Sequence, residues 1–321
     1  MREAGAPVRV EEMVLPDPAP TQVLVRLLAT GVCHSDLSLA RGTLASPTPV
    51  VLGHEGCGEV VEVGAGVQGV RAGDTVLLNW APACRACWWC EHSEPFLCAN
   101  SGRAGEQPYA ELADGTPVYP GLGVAAFATQ TLVDQTACIV IPADVDREAA
   151  ALLGCAVITG VGAVRHAAGV RSGESVVVIG LGGVGLSAVQ GARIAGAATI
   201  IAVDGAVEKR DLALRLGATA ALEPGPELSR AVRALTEGRG ADHAVECVGR
   251  AETIRTAWGV TRRGGRATIV GLGPKTESLS FSAFEIAYFA RTLQGSMYGS
   301  ADPADDIPGL LELVRDGSLD L

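Results

Sequence analysis

Cys84, Cys87, Cys90 and Cys98 fall on one short stretch as Cys-x-x-Cys-x-x-Cys followed by a fourth cysteine. Four thiolates so placed can close a tetrahedral sulfur shell with no position left for a substrate, as in a structural zinc site; an iron–sulfur cluster is the chemical rival. Pro82 and polar neighbours set the run in a loop, which argues against cysteines that merely fill a core. Trp88 and Trp89 are expected to shield this lobe rather than stack on nucleic acid. A second set is dispersed over Cys33-His34-Ser35-Asp36, Gly53-His54-Glu55 and Gly154-Cys155. Two thiolates and an imidazole would leave one position at zinc open and suit Lewis-acid chemistry. Their spacing alone does not join them, because isolated cysteines and histidines also settle in cores.

A third signal is a phosphate cradle. An apolar run ending at Ile179 leads into Gly180-Leu181-Gly182-Gly183-Val184-Gly185 and then into a helical pattern. Gly180 permits the tight turn, Gly182 admits a pyrophosphate, Gly185 allows helix and strand to approach, and the helix N-terminus offers unpaired N–H groups. Asp204 ends the next strand at the separation expected of a ribose-binding acid, which favours NAD and repels the 2′-phosphate of NADP. Lys209 can flank the same ribose.

These groups need elements to hold them. Residues 22–29, 60–63 and 76–78 read as short strands broken by turns at Ala72-Gly73-Asp74 and Asp114-Gly115, a texture that closes into a small barrel or sandwich. From about Ala156 the pattern becomes strand and helix in alternation. Residues 175–179, 199–203, 241–246 and 266–270 are near-continuous apolar strands, and residues 186–195 and 207–216 are helical, which predicts a parallel sheet covered on both faces. A further strand is expected over residues 293–298, and Arg262, Arg263 and Arg266 are expected in a solvated turn.

The chain of 321 residues carries a net charge of −11 with 48% hydrophobic residues, which excludes disorder and disfavours nucleic acid and anionic membranes as partners. No uncharged apolar run reaches the ~18–20 residues of a membrane span, and no cleavable leader pattern opens the chain. Nine cysteines are too few per residue for a disulfide-stapled secreted scaffold. A cytoplasmic location is the resulting expectation.

Taken together, the four-cysteine lobe, Cys33-His34-Ser35-Asp36, Gly53-His54-Glu55, Gly154-Cys155 and Gly180 to Gly185 resemble the zinc-dependent medium-chain alcohol dehydrogenases over almost the whole chain. The resemblance implies an α/β protein: an N-terminal β-rich chaperonin-10-like catalytic domain over residues 1–155, a Rossmann NAD-binding domain over residues 156–300, and a partial return segment over residues 301–321. Both chain ends look shortened against the family pattern. It also implies a catalytic zinc on Cys33, His54 and Cys155, with Glu55 as an alternative ligand, and a structural zinc on Cys84, Cys87, Cys90 and Cys98.

Narrower roles come from the same resemblance. Ser35 stands by the reacting alcohol, Asp36 behind His54, His34 by the cofactor pyrophosphate, Thr159 near the nicotinamide, and Val248 and Gly249 in the cofactor wall. Two positions depart from the pattern: Ser38 stands where many relatives carry a proton-relay histidine, and Gly102 where glutathione-adduct enzymes carry an arginine. The implied activity is interconversion of a primary or aromatic alcohol and its aldehyde with NAD, in a homodimer or homotetramer. A zinc-stabilised nucleotide-binding scaffold, a quinone or alkene reductase, and a thiol-adduct formaldehyde dehydrogenase are the alternatives.

Overall fold

A computed structural model describes all residues, Met1–Leu321, in two compact units. The first comprises Met1–Cys155 with Asp302–Leu313 and Leu321. Its strands are β1 (Met13–Val14), β2 (Gln22–Gly31), β3 (Val50–Val51), β4 (Glu55–Val63), β5 (Thr75–Leu78), β6 (Ala110–Leu112), β7 (Pro117–Pro120), β8 (Gln130–Asp134) and β9 (Cys138–Ile141). Antiparallel pairing gives a five-stranded sheet in the order β8-β2-β4-β5-β9, and a smaller sheet runs β1-β6-β7-β3. Alternation in β2 sends Val23 and Val25 into a core with Val60, Val76, Leu78 and Val133, which is the barrel-like β-rich texture expected of this region. Helices α1 (His34–Arg41), α2 (Trp88–Glu91) and α3 (Arg147–Leu152) interrupt the strands.

The second unit, Ala156–Ala301 with Val314–Asp320, is the parallel α/β unit. It holds β10 (Ser175–Ile179), β11 (Thr199–Val203), β12 (Ala220–Leu222), β13 (Ala241–Glu246), β14 (Thr261–Ile269) and β15 (Thr292–Gly295). Helices α4 (Ile158–Gly162), α5 (Gly183–Ile194), α6 (Val207–Arg215), α7 (Leu228–Leu235), α8 (Ala251–Val260) and α9 (Ala283–Phe289) complete it, and α10 (Pro303–Arg315) follows. The strand order β12-β11-β10-β13-β14-β15 reverses between β10 and β13, a topological switch point of the kind that binds dinucleotides. Apolar residues on both sheet faces, Val176, Val178 and Ile200 on one and Val177, Ile179 and Ile201 on the other, pack into separate cores, as sandwiching by helices requires.

Two local expectations change. The last strand stops at Gly295, because Tyr298 and Gly299 adopt positive φ of 52° and 70° and turn the chain. The three arginines sit in β14 instead of a solvated turn. Arg262 Nε donates to Asp242 at 2.6 Å, Arg263 lies over Tyr288, and Arg266 donates to the carbonyls of Ala167 and Ala168. Residues Arg147–Ala168 form a helical stretch long and apolar enough to cross a membrane by length and composition, yet two thirds of it is buried inside the protein.

Candidate active site and metal centres

The dispersed set does come together. Cys33 ends the extended chain leaving β2 and caps α1, where Asp36 Oδ2 accepts its N–H at 3.0 Å. The other oxygen of Asp36 accepts the Gly53 N–H and the His54 Nδ1–H, both at 3.0 Å. One buried carboxylate thus fixes Cys33 and His54 and leaves His54 Nε2 for another partner, the carboxylate–histidine arrangement of metal sites. Gly53 has φ +91°, and a Cβ there would lie 2.5 Å from Phe127, so only glycine can lead into His54.

Glu55 opens β4 opposite Gly31, and a Cβ on Gly31 would fall 1.9 Å from Glu55 Oε2; the bare glycine makes room for the carboxylate. Cys155 arrives from a π-helical turn, Leu153–Val157, a local widening that re-aims one side chain. Donor atoms of Cys33, His54, Glu55 and Cys155 all lie within 4.8 Å of one another, with His54 and Glu55 fully buried. Ser35 Oγ is 3.8 Å from Cys33 Sγ, whereas His34 is exposed.

The electrostatics fit a cation. The hydrogen bond from Cys155 lowers the Cys33 thiol to about 4 against its burial, with His54 adding to the shift. Burial opposes a charged His54, yet Asp36 and Cys33 raise it to about 9, while the bond to Cys33 and burial push Cys155 up. A thiolate, a carboxylate-backed imidazole and a second thiol in one pocket form a donor set that zinc would complete by displacing protons.

The four-cysteine lobe is built differently. Sγ of Cys87 lies 3.6 Å from that of Cys90 and 3.9 Å from that of Cys98, and all four sulfurs are within 4.8 Å. With Zn–S near 2.3 Å a tetrahedral edge is about 3.8 Å, so the sulfurs sit where a zinc shell requires them. No disulfide forms. N–H groups of Cys84 and Asn100 point at Cys98 Sγ at 3.3 and 3.4 Å, and the Asn100 amide points at Cys84 Sγ at 3.2 Å. Trp88 stacks on His92 with centroids 4.1 Å apart and meets Trp89 edge-on, and both tryptophans are exposed. Arg85, between the ligands, pairs through two hydrogen bonds with Asp302 just ahead of α10, a contact that no sequence pattern signalled.

In the second unit the glycine motif joins β10 to α5. Gly180 has φ +88°, and a Cβ on Gly185 would meet Gly180 O at 1.8 Å, so close packing of turn and helix demands glycine. Nothing crowds Gly182, and the α5 N-terminus begins there with Gly183, Val184 and Gly185. Asp204 follows β11. Burial opposes its charge, but N–H groups of Ala206 and Leu181 at 2.9 and 2.8 Å, with Lys209 at 3.8 Å, hold its pKa below the usual value. Arg210 donates to the Asp204 carbonyl at 2.7 Å and braces the turn from behind. Thr159 is carried by α4, which crosses α5 so tightly that a Cβ on Gly160 would reach Val184 O at 2.2 Å. Val248 packs on Gly180, and Gly249 turns with φ +82°. Glu246, a wholly buried acid beneath both, carries no sequence signal of its own, because Asp242 and His243 already make its strand partly polar.

Residues 19–143 match the model of the alcohol dehydrogenase GroES-like domain, and residues 183–316 that of the zinc-binding dehydrogenases. The chain is 36% identical to an NDMA-dependent alcohol dehydrogenase of Amycolatopsis methanolica over 329 residues, covering 100% of this chain and 89% of the relative. The chain belongs to the zinc-dependent medium-chain alcohol dehydrogenase family. An S-(hydroxymethyl)glutathione dehydrogenase of Synechocystis is also 36% identical, over 99% of this chain and 89% of its own. The benzyl alcohol dehydrogenase of Acinetobacter calcoaceticus superposes with a TM-score of 0.91 at 30% identity, covering 99% of this chain and 88% of that one. In this dehydrogenase the mixed cluster and the four-cysteine lobe match the catalytic and structural zinc sites of the family, and the Rossmann unit supplies the NAD site. It is a zinc- and NAD-dependent oxidoreductase of alcohols and aldehydes.

Proposed function

We propose that the enzyme interconverts primary or aromatic alcohols and their aldehydes. The observation that carries this reading is the convergence of half-buried Cys33 with buried His54 and Cys155, with Asp36 locked behind the imidazole. When bound, zinc supplies Lewis acidity toward the substrate oxygen and the nicotinamide takes up the hydride. Cys33, His54 and Cys155 would hold the metal, with Glu55 as a reserve ligand, and Asp36 keeps His54 in one tautomer. Ser35, beside Cys33, is the group placed to take the alcohol proton; with Ser38 at the usual relay position, water or a cofactor hydroxyl carries the proton onward. The Asp204 carboxylate favours NAD over NADP, with His34, Thr159, Lys209, Val248 and Gly249 as further cofactor contacts.

Resemblance to benzyl alcohol dehydrogenase supports an aromatic substrate, while the Synechocystis relative supports a thiol adduct of formaldehyde. Gly102, where adduct enzymes carry an arginine, favours the first. A panel of ethanol, benzyl alcohol, 2-propanol and formaldehyde with and without glutathione, each with NAD and NADP, tests this. Benzyl alcohol with NAD is expected to turn over fastest; turnover confined to formaldehyde plus glutathione would replace the reading. We also place the enzyme in the cytoplasm, where its nine free thiols stay reduced. A homo-oligomer is supported by β15, an edge strand with exposed Leu293 that calls for a cover; light scattering on the purified chain reads the state.

A further inference from the structure

Glu246 ends β13, paired with Ile179 of β10 on one side and Ile269 of β14 on the other. It therefore stands at the strand-order reversal, where the dinucleotide crevice opens. Its side chain is wholly buried, and one oxygen makes every contact. Oε1 accepts the N–H groups of Val248 and Gly249 at 2.9 and 2.8 Å and the Thr253 hydroxyl at 2.7 Å. Oε2, equally buried, has no hydrogen-bond partner.

The segments so gathered fit without slack. Val248 packs so closely on the first motif glycine that a Cβ on Gly180 would lie 2.5 Å from Val248 Cγ2. A Cβ on Gly249 would lie 2.7 Å from the backbone of Gly271 and Gly273, and one on Gly271 would lie 2.0 Å from Gly249 N. The Glu246 carbonyl accepts the N–H groups of Val270 and Gly271 at 2.8 and 3.0 Å. One residue thus ties together the turn after β13, the turn after β14, the start of α8 and, through Val248, the phosphate turn. A buried carboxylate with one oxygen unanswered is an expensive way to pin a turn, because its desolvation is only partly offset.

We propose that Glu246 is a positioning residue for the cofactor: it sets the Val248–Gly249 turn as the wall of the nicotinamide half of the site. The inference rests on the NAD reading of this unit. Asp204 marks the adenosine half on the β11 side of the switch point, and the turns after β13 and β14 lie on the opposite side, where the second mononucleotide belongs. Glu246 touches no ligand; it acts through two main-chain N–H groups.

The test compares NADH with ADP-ribose, which lacks only the nicotinamide, by calorimetry on the zinc-loaded enzyme. In Glu246→Ala, NADH affinity falls about tenfold or more while ADP-ribose affinity stays within about twofold. Glu246→Gln keeps the accepting oxygen and recovers NADH affinity to within about threefold of wild type. Should the alanine variant not fold, Thr253→Ala removes one of the three donors and is expected to weaken NADH alone by about threefold. Parallel loss of NADH and ADP-ribose, or a lower melting temperature with NADH affinity intact, would overturn the inference while leaving the NAD reading standing. Wild type that binds neither ligand would overturn both.

Discussion

The two metal sites solve one problem with opposite means. In the lobe, four ligands lie within a short loop, the sulfurs are held mainly by N–H groups of that loop, and neither α2 nor the 3-10 turn Pro95–Leu97 has a buried residue. At the mixed cluster, the ligands come from positions 33, 54, 55 and 155. The β2–β4 pairing, the α1 cap and a π turn gather them, and Asp36 cross-links the Cys33 and His54 segments. The lobe has little but metal to give it shape, whereas the mixed cluster is shaped by the core of the barrel. Metal is therefore folding energy at the first site and chemistry at the second.

The sharpest break of that comparison is Cys90→Ala. Structural zinc contributes on the order of 10 kcal/mol of apparent binding energy to small sites, so the variant is expected to lose lobe zinc and most of its soluble yield. A soluble variant with two zincs per chain and an unshifted melting temperature would refute the lobe's dependence on metal. Cys155→Ala comes next: one zinc equivalent and alcohol turnover disappear, while far-UV circular dichroism persists and the melting temperature moves by only a few degrees, about what the small buried change allows.

Asp36→Asn keeps the shape and removes the charge behind His54. Zinc affinity at that site, or turnover, should fall ~10–100-fold, with lobe zinc unchanged. Arg85→Ala severs the tie between the lobe and Asp302. Because Arg85 is half exposed, the expected loss is about 1 kcal/mol or less, read as a small shift in thermal unfolding with both zincs retained. A control outside both sites sets the scale. Burial opposes ionisation of Asp242, but hydrogen bonds from Ser175 and Arg262 bring its pKa down to about 2. Its stabilisation is present above the unfolded value near 3.9 and is lost as pH falls toward about 2. Asp242→Asn should then cost about 1 kcal/mol at pH 7 after solvent screening, with the gap from wild type closing on acidification.

The same contrast explains what could be read in the sequence. The lobe and the glycine motif were legible because their residues are neighbours in the chain and their spacing is itself the geometry. The mixed cluster was not joined by spacing, since what brings Gly31 against Glu55 is long-range strand pairing with register shifts in β2. The first unit does end at Cys155, but a π turn has no sequence period to betray that it aims this side chain at the cluster. Arg262, Arg263 and Arg266 suggested a surface turn; each instead spends its charge on a specific acid, ring or carbonyl pair that only the tertiary fold supplies. Resemblance to a family bridged the first of these gaps, and packing alone revealed Glu246 and Arg85.

Hydrogen exchange on the zinc-loaded and the zinc-stripped enzyme, read segment by segment with zinc counted on the same samples, separates metal as folding energy from metal as chemistry. The loaded enzyme should hold two zincs. On stripping, amides from Cys84 to Asn100 should lose their protection, while the Cys33 and Gly53 amides, bonded to Asp36, keep theirs. Equal loss of protection at both sites, or iron in place of zinc at the four cysteines, would contradict that division.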